Sequence, residues 1–151
     1  MAVSVLVIED DHCLRDMICL GLDSVGYSAA ESRGAEALYD ATRLTPSLIL
    51  LDVKMPDLDG AAVCRLLRSD ERTAHIPIIA VTGGEVPASM RVDDVLVKPF
   101  TMHELLRLVR HWIGLPQPRY FKLEGNQLVL STPMTVVKGQ NLVGQLTWRR
   151  V

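Results

Sequence analysis

The sequence lacks the features that would place it in a membrane, in a secreted disulfide-rich fold or at a zinc site. No apolar run approaches the roughly 20 residues that a transmembrane helix needs. Its three cysteines, Cys13, Cys19 and Cys64, form no Cys-x-x-Cys pair, which argues against a disulfide framework or a structural zinc site. Strand-like residues follow Met1 at once, with no basic and apolar leader. We therefore expect a cytoplasmic protein.

The composition of the chain is that of an ordinary globular protein. Its 151 residues are 48% hydrophobic and 23% charged, which suffices for one well-packed domain with an appendage. The charge is uneven along the chain. Residues 119–151 hold five basic residues and one acidic residue, a net +4, so the overall charge of −2 leaves −6 on residues 1–118.

One stretch, from Leu48 to Gly60, organises the chain. Four large apolar residues run without a break from Leu48 to Leu51 and stop at Asp52. Such a run, bounded by turn residues, predicts a strand buried on both faces. Ligands of open α/β sheets bind beyond the carboxyl ends of the strands, so Asp52 stands where chemistry is expected. Taken alone, the stretch equally allows Asp52 to cap the following helix.

Further strand-like and helix-like segments alternate around this stretch. Apolar runs predict strands at residues 3–8, 27–30, 76–81 and 95–97, and helical spacing predicts helices at residues 12–24, 34–42, 60–68 and 101–114. This order predicts an α/β fold with a five-stranded parallel, doubly wound sheet. The segment from Gly83 to Arg91 is short and rich in glycine and proline, so we expect a shortened or absent helix between the fourth and fifth strands.

Polar residues end four of the predicted strands. The first strand ends in Glu9, Asp10 and Asp11, the third ends at Asp52, the fourth ends at Thr82, and the fifth ends at Lys98. Three adjacent carboxylates suit a hard cation such as Mg²⁺, although an acidic turn or a helix cap would use the same residues.

Four sequence blocks together resemble the receiver domain of two-component response regulators. They are VLVIEDD at 5–11, LILLDVKMPDLDG at 48–60, IPIIAVT at 76–82 and VKPF at 97–100. The resemblance covers residues 3–113. It implies a flavodoxin-like receiver domain at residues 1–115 and a cis peptide bond before Pro99.

The resemblance also implies a chemistry for the strand ends. Asp52 would accept a phosphoryl group from a sensor histidine kinase or a phosphotransfer protein, with Lys98 and Thr82 contacting the phosphoryl oxygens. Mg²⁺ would be held by four oxygen-donating positions, namely Glu9, Asp10, Asp52 and the backbone carbonyl of Lys54. Apart from taking up and releasing its own phosphoryl group, the protein would not act as an enzyme.

Two departures from the family pattern keep a second class of function open. Val95 stands where the family usually has an aromatic switch residue, and the segment between Thr82 and Lys98 is too short for a full helix. The alternative is a receiver-derived adaptor that binds partner proteins without being phosphorylated.

The sequence predicts a separate β-rich appendage at residues 119–151, which follows a proline-containing linker at residues 116–118. Strand-like runs separated by glycine and asparagine turns predict a small antiparallel sheet. The appendage is too short for a core of its own, so we expect it to pack on the receiver or on a second copy, which makes a homodimer a further expectation. Its basic residues are few and not grouped on a helix, so we do not expect DNA as a partner.

Overall fold

The computed structural model describes residues 4–116 in full and, beyond residue 119, the backbone of five strands. The chain divides into two compact units, Met1–Leu115 and Pro116–Val151. In the part of the chain that is described, no helix is both long and apolar enough to cross a membrane.

The first unit is built on a five-stranded sheet in which all neighbouring strands are parallel. The strand order is β2-β1-β3-β4-β5, which is the flavodoxin-like order, so the predicted fold class is confirmed for this unit. The strands are β1 (Val5–Ile8), β2 (Ala29–Ser32), β3 (Leu48–Asp52), β4 (Ile78–Thr82) and β5 (Asp94–Val97).

Four α-helices accompany these strands. They are α1 (His12–Ser24), α2 (Ala37–Leu44), α3 (Gly60–Ser69) and α4 (Met102–Ile113), and a single 3₁₀ turn at Gly34–Glu36 precedes α2. No helix lies between β4 and β5, where residues 83–93 cross over in turns and extended chain. The prediction that this helix is shortened or absent is therefore confirmed.

The sheet separates two hydrophobic clusters because alternate residues of each strand point to opposite faces. From β3, Ile49 and Leu51 pack with α2 and α3, whereas Leu48 and Leu50 pack with α1 and α4. Every residue of β1, β3 and β4 is buried. The three central strands are therefore covered on both faces, and polar side chains can be reached by ligands only at their ends.

Three of the helices begin at an aspartate or threonine side chain that caps the helix N-terminus. Asp11 accepts hydrogen bonds from the first-turn amides of α1, Asp59 does the same for α3, and Thr101 forms a capping box with Glu104 at α4. Asp11 is thus a helix cap. These caps fix where each helix starts after the strand-end loop that precedes it.

The crossover from β4 to β5 is fastened by Arg68 of α3. Its guanidinium donates to the carbonyls of Ala74, Ile76 and Arg91 at 2.8–3.0 Å and to the carboxylate of Asp93 at 2.6 Å. Within the crossover, Met90 is 6% exposed and packs in the cluster beneath α3. One arginine and one buried methionine therefore hold a segment that has no helix of its own.

The second unit contains β6 (Tyr120–Glu124), β7 (Gln127–Ser131), β8 (Thr135–Val137), β9 (Gln140–Leu142) and β10 (Gln145–Arg149). Strand β7 pairs antiparallel with β6 and β10, and β8 pairs antiparallel with β9. The bounds of the linker and the appendage, and the packing expected of the appendage, stay predictions.

Gly60, the first residue of α3, makes a close approach that only glycine allows. Its amide donates to the carbonyl of Val53 at 3.2 Å, and an added Cβ would lie 2.8 Å from backbone atoms of Val53 and against the carbonyl of Asp52. We expect Gly60→Ala to lower the free energy of unfolding by about 1–3 kcal/mol, since backbone must shift to admit the methyl group. Urea denaturation measures the change.

Gly84→Ala is the matched control for this prediction. The nearest atom to its added Cβ is the flexible Lys54 Nζ at 3.9 Å, so the free energy of unfolding should change by no more than about 0.5 kcal/mol. Equal stability of the two variants would show that the approach at Gly60 imposes no constraint.

Candidate functional site

The site lies at the carboxyl edge of the sheet, where the ends of neighbouring parallel strands meet. Glu9 follows β1, Asp52 is the last residue of β3, Thr82 is the last residue of β4, and Lys98 follows β5. Glu9 is 3% exposed and Asp52 is 4% exposed, so both carboxylates are largely removed from water.

Lys98 is the centre of this arrangement. Its Nζ lies 3.2 Å from Oε2 of Glu9 and 3.4 Å from Oδ1 of Asp52. A buried carboxylate is stable only when a positive charge or hydrogen bonds compensate it, and here one ammonium serves two carboxylates. The site therefore carries more negative than positive charge.

The titration of Glu9 reflects this imbalance. Burial raises the pKa of Glu9, and the neighbouring charge of Asp52 acts in the same direction. The amide of Asp11, which donates to Oε1 of Glu9 at 3.0 Å, and the ammonium of Lys98 oppose the rise in pKa. Additional positive charge at this position would favour the ionised carboxylate.

The types of donor atom at this edge are those that suit a hard divalent cation. The predicted metal ligands Glu9, Asp10 and Asp52 offer carboxylate oxygens and Lys54 offers a backbone carbonyl, which are the ligand types that Mg²⁺ prefers. Asp10 is half-buried and lines a crevice with Pro56 and Asp57.

The structure brings Glu9 and Asp52 to a shared ammonium, but it does not draw the three predicted carboxylate ligands around one point. Among the described residues, the only three metal-ligating side chains within 4.8 Å of one another are those of Asp11, His12 and Cys13, all exposed. Asp11 in that group is already used as the cap of α1.

Thr82 is at the predicted place, but its hydroxyl is satisfied locally. Its Oγ1 accepts from the amide of Gly84 at 3.0 Å and lies 3.3 Å from the carbonyl of the same residue. Thr82 would contact a ligand at Asp52 only after exchanging these bonds. The amide of Lys54 donates to Oδ1 of Asp52 at 3.3 Å, which places the loop after β3 against the carboxylate.

The turn after β5 fixes the start of the Lys98 side chain. The amide of Lys98 donates to the carbonyl of Thr82 at 2.7 Å, and the Lys98–Pro99 peptide bond is cis, as the resemblance implied. Val95, three residues earlier, is 37% exposed.

Arg15 supports the site and was not singled out in the sequence. It is buried on α1, donates from a terminal guanidinium nitrogen to the carbonyl of Glu9 at 2.8 Å, and pairs through Nε with Glu31 at 3.1 Å. The sequence does contain a signal for the burial of Arg15, because Arg15 stands at helical spacing from Ile18 and Leu22 and therefore on the apolar face of α1.

Residues 5–110 match the response regulator receiver domain family. Among curated proteins, the chain is 37% identical over 113 residues to the DNA-binding dual master transcriptional regulator RpaA of Synechocystis, covering 70% of this chain and 47% of RpaA. It is 36% identical over 143 residues to the response regulator MprA of Mycobacterium ulcerans, covering 89% of this chain and 58% of MprA.

Solved structures agree with these relatives. The receiver domain of sensor histidine kinase PA1611 from Pseudomonas aeruginosa, which has a magnesium ion coordinated in its active-site cleft, superposes with a TM-score of 0.69 at 31% identity, covering 76% of this chain and 99% of that one. Chemotaxis protein CheY4 of Vibrio cholerae gives a TM-score of 0.69 at 26% identity, covering 75% of this chain and all of CheY4.

This chain therefore belongs to the receiver domain family of two-component response regulators. It spans about half the length of the curated relatives RpaA and MprA.

The position of Arg15 predicts a support role that can be measured. Arg15→Gln should lower the free energy of unfolding by about 1–3 kcal/mol, because the change removes a buried charge-assisted hydrogen bond to the Glu9 carbonyl. Urea denaturation reports this change. Glu31→Gln is the control, since it removes the charge of the ion pair and leaves the contact between Arg15 and Glu9 in place. An effect of Glu31→Gln as large as that of Arg15→Gln would assign the stabilisation to the ion pair.

Proposed function

We propose that this chain is a phosphorylation-controlled signalling switch that accepts a phosphoryl group on Asp52 from a sensor histidine kinase or a phosphotransfer protein. The observation that supports the proposal best is the ammonium of Lys98, held 3.4 Å from the buried carboxylate of Asp52 and 3.2 Å from that of Glu9. The proposal includes a cytoplasmic location.

The transfer joins an anion to another anion, so positioning and charge neutralisation carry most of the catalysis. An oxygen of Asp52 attacks phosphorus, and the bond from phosphorus to the donor's histidine nitrogen breaks with its electron pair staying on that nitrogen. Lys98 is placed to move its ammonium from the carboxylate toward the phosphoryl oxygens. Hydrolysis of the resulting acyl phosphate by water returns the free carboxylate, and this self-directed cycle is the whole of the proposed chemistry.

Mg²⁺, when bound by Glu9, Asp10, Asp52 and the carbonyl of Lys54, would supply further positive charge to the phosphoryl oxygens. Thr82 becomes available to a phosphoryl oxygen once its hydroxyl leaves Gly84. That exchange would alter the start of the crossover between β4 and β5, and the altered crossover is the change that a partner would read.

An adaptor that is never phosphorylated is the second candidate, and two observations favour it. Val95 replaces the usual aromatic switch residue, and no helix stands between β4 and β5 to present an output surface. A homodimer stays a prediction. The expectation that DNA is not a partner also stays a prediction, and the name of the Synechocystis relative, a DNA-binding regulator, weighs against it.

Phosphorylation by a small donor decides between the two candidates. Incubation with acetyl phosphate and Mg²⁺ should add one phosphoryl group to the intact protein by mass spectrometry, and Asp52→Asn should add none. Asp57→Asn, at an exposed aspartate of the neighbouring loop, is the control and should be labelled as the unchanged protein is. Absence of labelling in the unchanged protein would favour the adaptor, and labelling of Asp52→Asn would exclude Asp52 as the acceptor.

Magnesium binding tests the acidic residues separately. Asp10→Asn should weaken Mg²⁺ binding roughly tenfold or more, equivalent to about 1.4 kcal/mol, since a charged oxygen ligand is lost. Titration calorimetry with magnesium chloride measures the affinity. Asp11→Asn is the matched control, because asparagine caps a helix as well as aspartate does and should leave the affinity unchanged. The same affinity in Asp10→Asn as in the unchanged protein would mean that Asp10 is no ligand.

A further inference from the structure

A recess of about 430 Å³ lies beside the crossover that replaces a helix between β4 and β5. One wall belongs to α3 and the other belongs to the crossover. The recess is lined by six residues, three of which are arginines: Cys64, Arg65, Arg68, Ser69, Ser89 and Arg91. No acidic side chain is among the lining residues.

The two walls are tied together by hydrogen bonds. Arg68 Nε donates to the carbonyl of Arg91 at 3.0 Å, and the Sγ of Cys64 lies 3.5 Å from the same carbonyl. Met90, between Ser89 and Arg91, is anchored in the core. The recess is therefore formed in advance, and a ligand would meet a shaped cavity.

The charge of the recess is not balanced from within. Asp93 pairs with Arg68 at 2.6 Å, so that guanidinium is compensated. Arg65 and Arg91 are exposed and form no ion pair with any residue in the described range 4–116. Two exposed arginines without an ion pair in the described range therefore border one recess, on a body whose overall charge is negative.

We propose that this recess binds a small phosphate-bearing molecule. Guanidinium groups donate paired hydrogen bonds that match phosphate oxygens, and Ser89 contributes a hydroxyl group beside them. The hydroxyl of Ser69 already donates to the carbonyl of Leu66 at 2.9 Å. The volume falls within the range of small-molecule sites, which span about 300–1,000 Å³. A partly open recess of this size, bounded by two short walls, suits a compact ligand better than an extended acidic peptide. The site is separate from Asp52, and its occupancy does not require that Asp52 be phosphorylated.

The test uses the full chain without Mg²⁺, with inorganic pyrophosphate and AMP as separate probes. Titration calorimetry gives the affinity, and amide shifts in nuclear magnetic resonance spectra give the location. We expect shifts centred on Ser69, Ser89 and Arg91. The double variant Arg65→Gln with Arg91→Gln should weaken binding about tenfold or more, since it removes two charged hydrogen-bond donors.

Arg107→Gln is the matched control, because Arg107 is an exposed arginine of α4 that does not line the recess. It should change the affinity by less than about twofold, as expected for a screened distant charge. The proposal is overturned if neither probe binds, if the shifts centre on Glu9 and Asp52, or if Arg107→Gln weakens binding as much as the double variant. Binding of a hexaglutamate peptide in the recess, with no binding of either phosphate probe, would likewise overturn it.

Discussion

The placement of one ammonium between two buried carboxylates is the constraint on which the site depends. Glu9 and Lys98 are 89 residues apart in sequence, and they meet only because β1 and β5 end at the same edge of a parallel sheet. Loss of the Lys98 charge would leave Glu9 and Asp52 facing each other without compensation, which a buried site does not tolerate without a cation or a proton. The charge balance of this edge therefore depends on a single side chain.

The sheet, its order and its polar edge could be predicted because uninterrupted apolar runs and the residues that end them are local signals. The run from Leu48 to Leu51 predicted a strand buried on both faces and Asp52 at its end, and both are observed. The absence of a helix between β4 and β5 was also predictable, from the short segment rich in glycine and proline. The capping box that begins α4 is a local signal as well, because it consists of Thr101 and a glutamate three residues later.

Contacts that depend on side-chain direction were not predictable in the same way. Met17 stands three residues after Leu14, a helical spacing that favours the buried stripe of α1, yet Met17 is 48% exposed and Arg15 is buried instead. Arginine can bury its stem while its head reaches a carbonyl, so composition alone does not show which of the two faces inward. The local satisfaction of Thr82 by Gly84 likewise depends on the turn that follows β4, which apolar spacing does not describe.

Arg68 ties together two pieces of chain that are distant in sequence. The loop between α3 and β4 contributes the carbonyls of Ala74 and Ile76, and the end of the crossover contributes Arg91 and Asp93. Segments that are held by the same contacts tend to unfold locally as one cooperative unit, which is smaller than the whole domain. The amide hydrogens of both pieces should accordingly exchange with solvent at similar rates, because the guanidinium of Arg68 is the anchor that both pieces share.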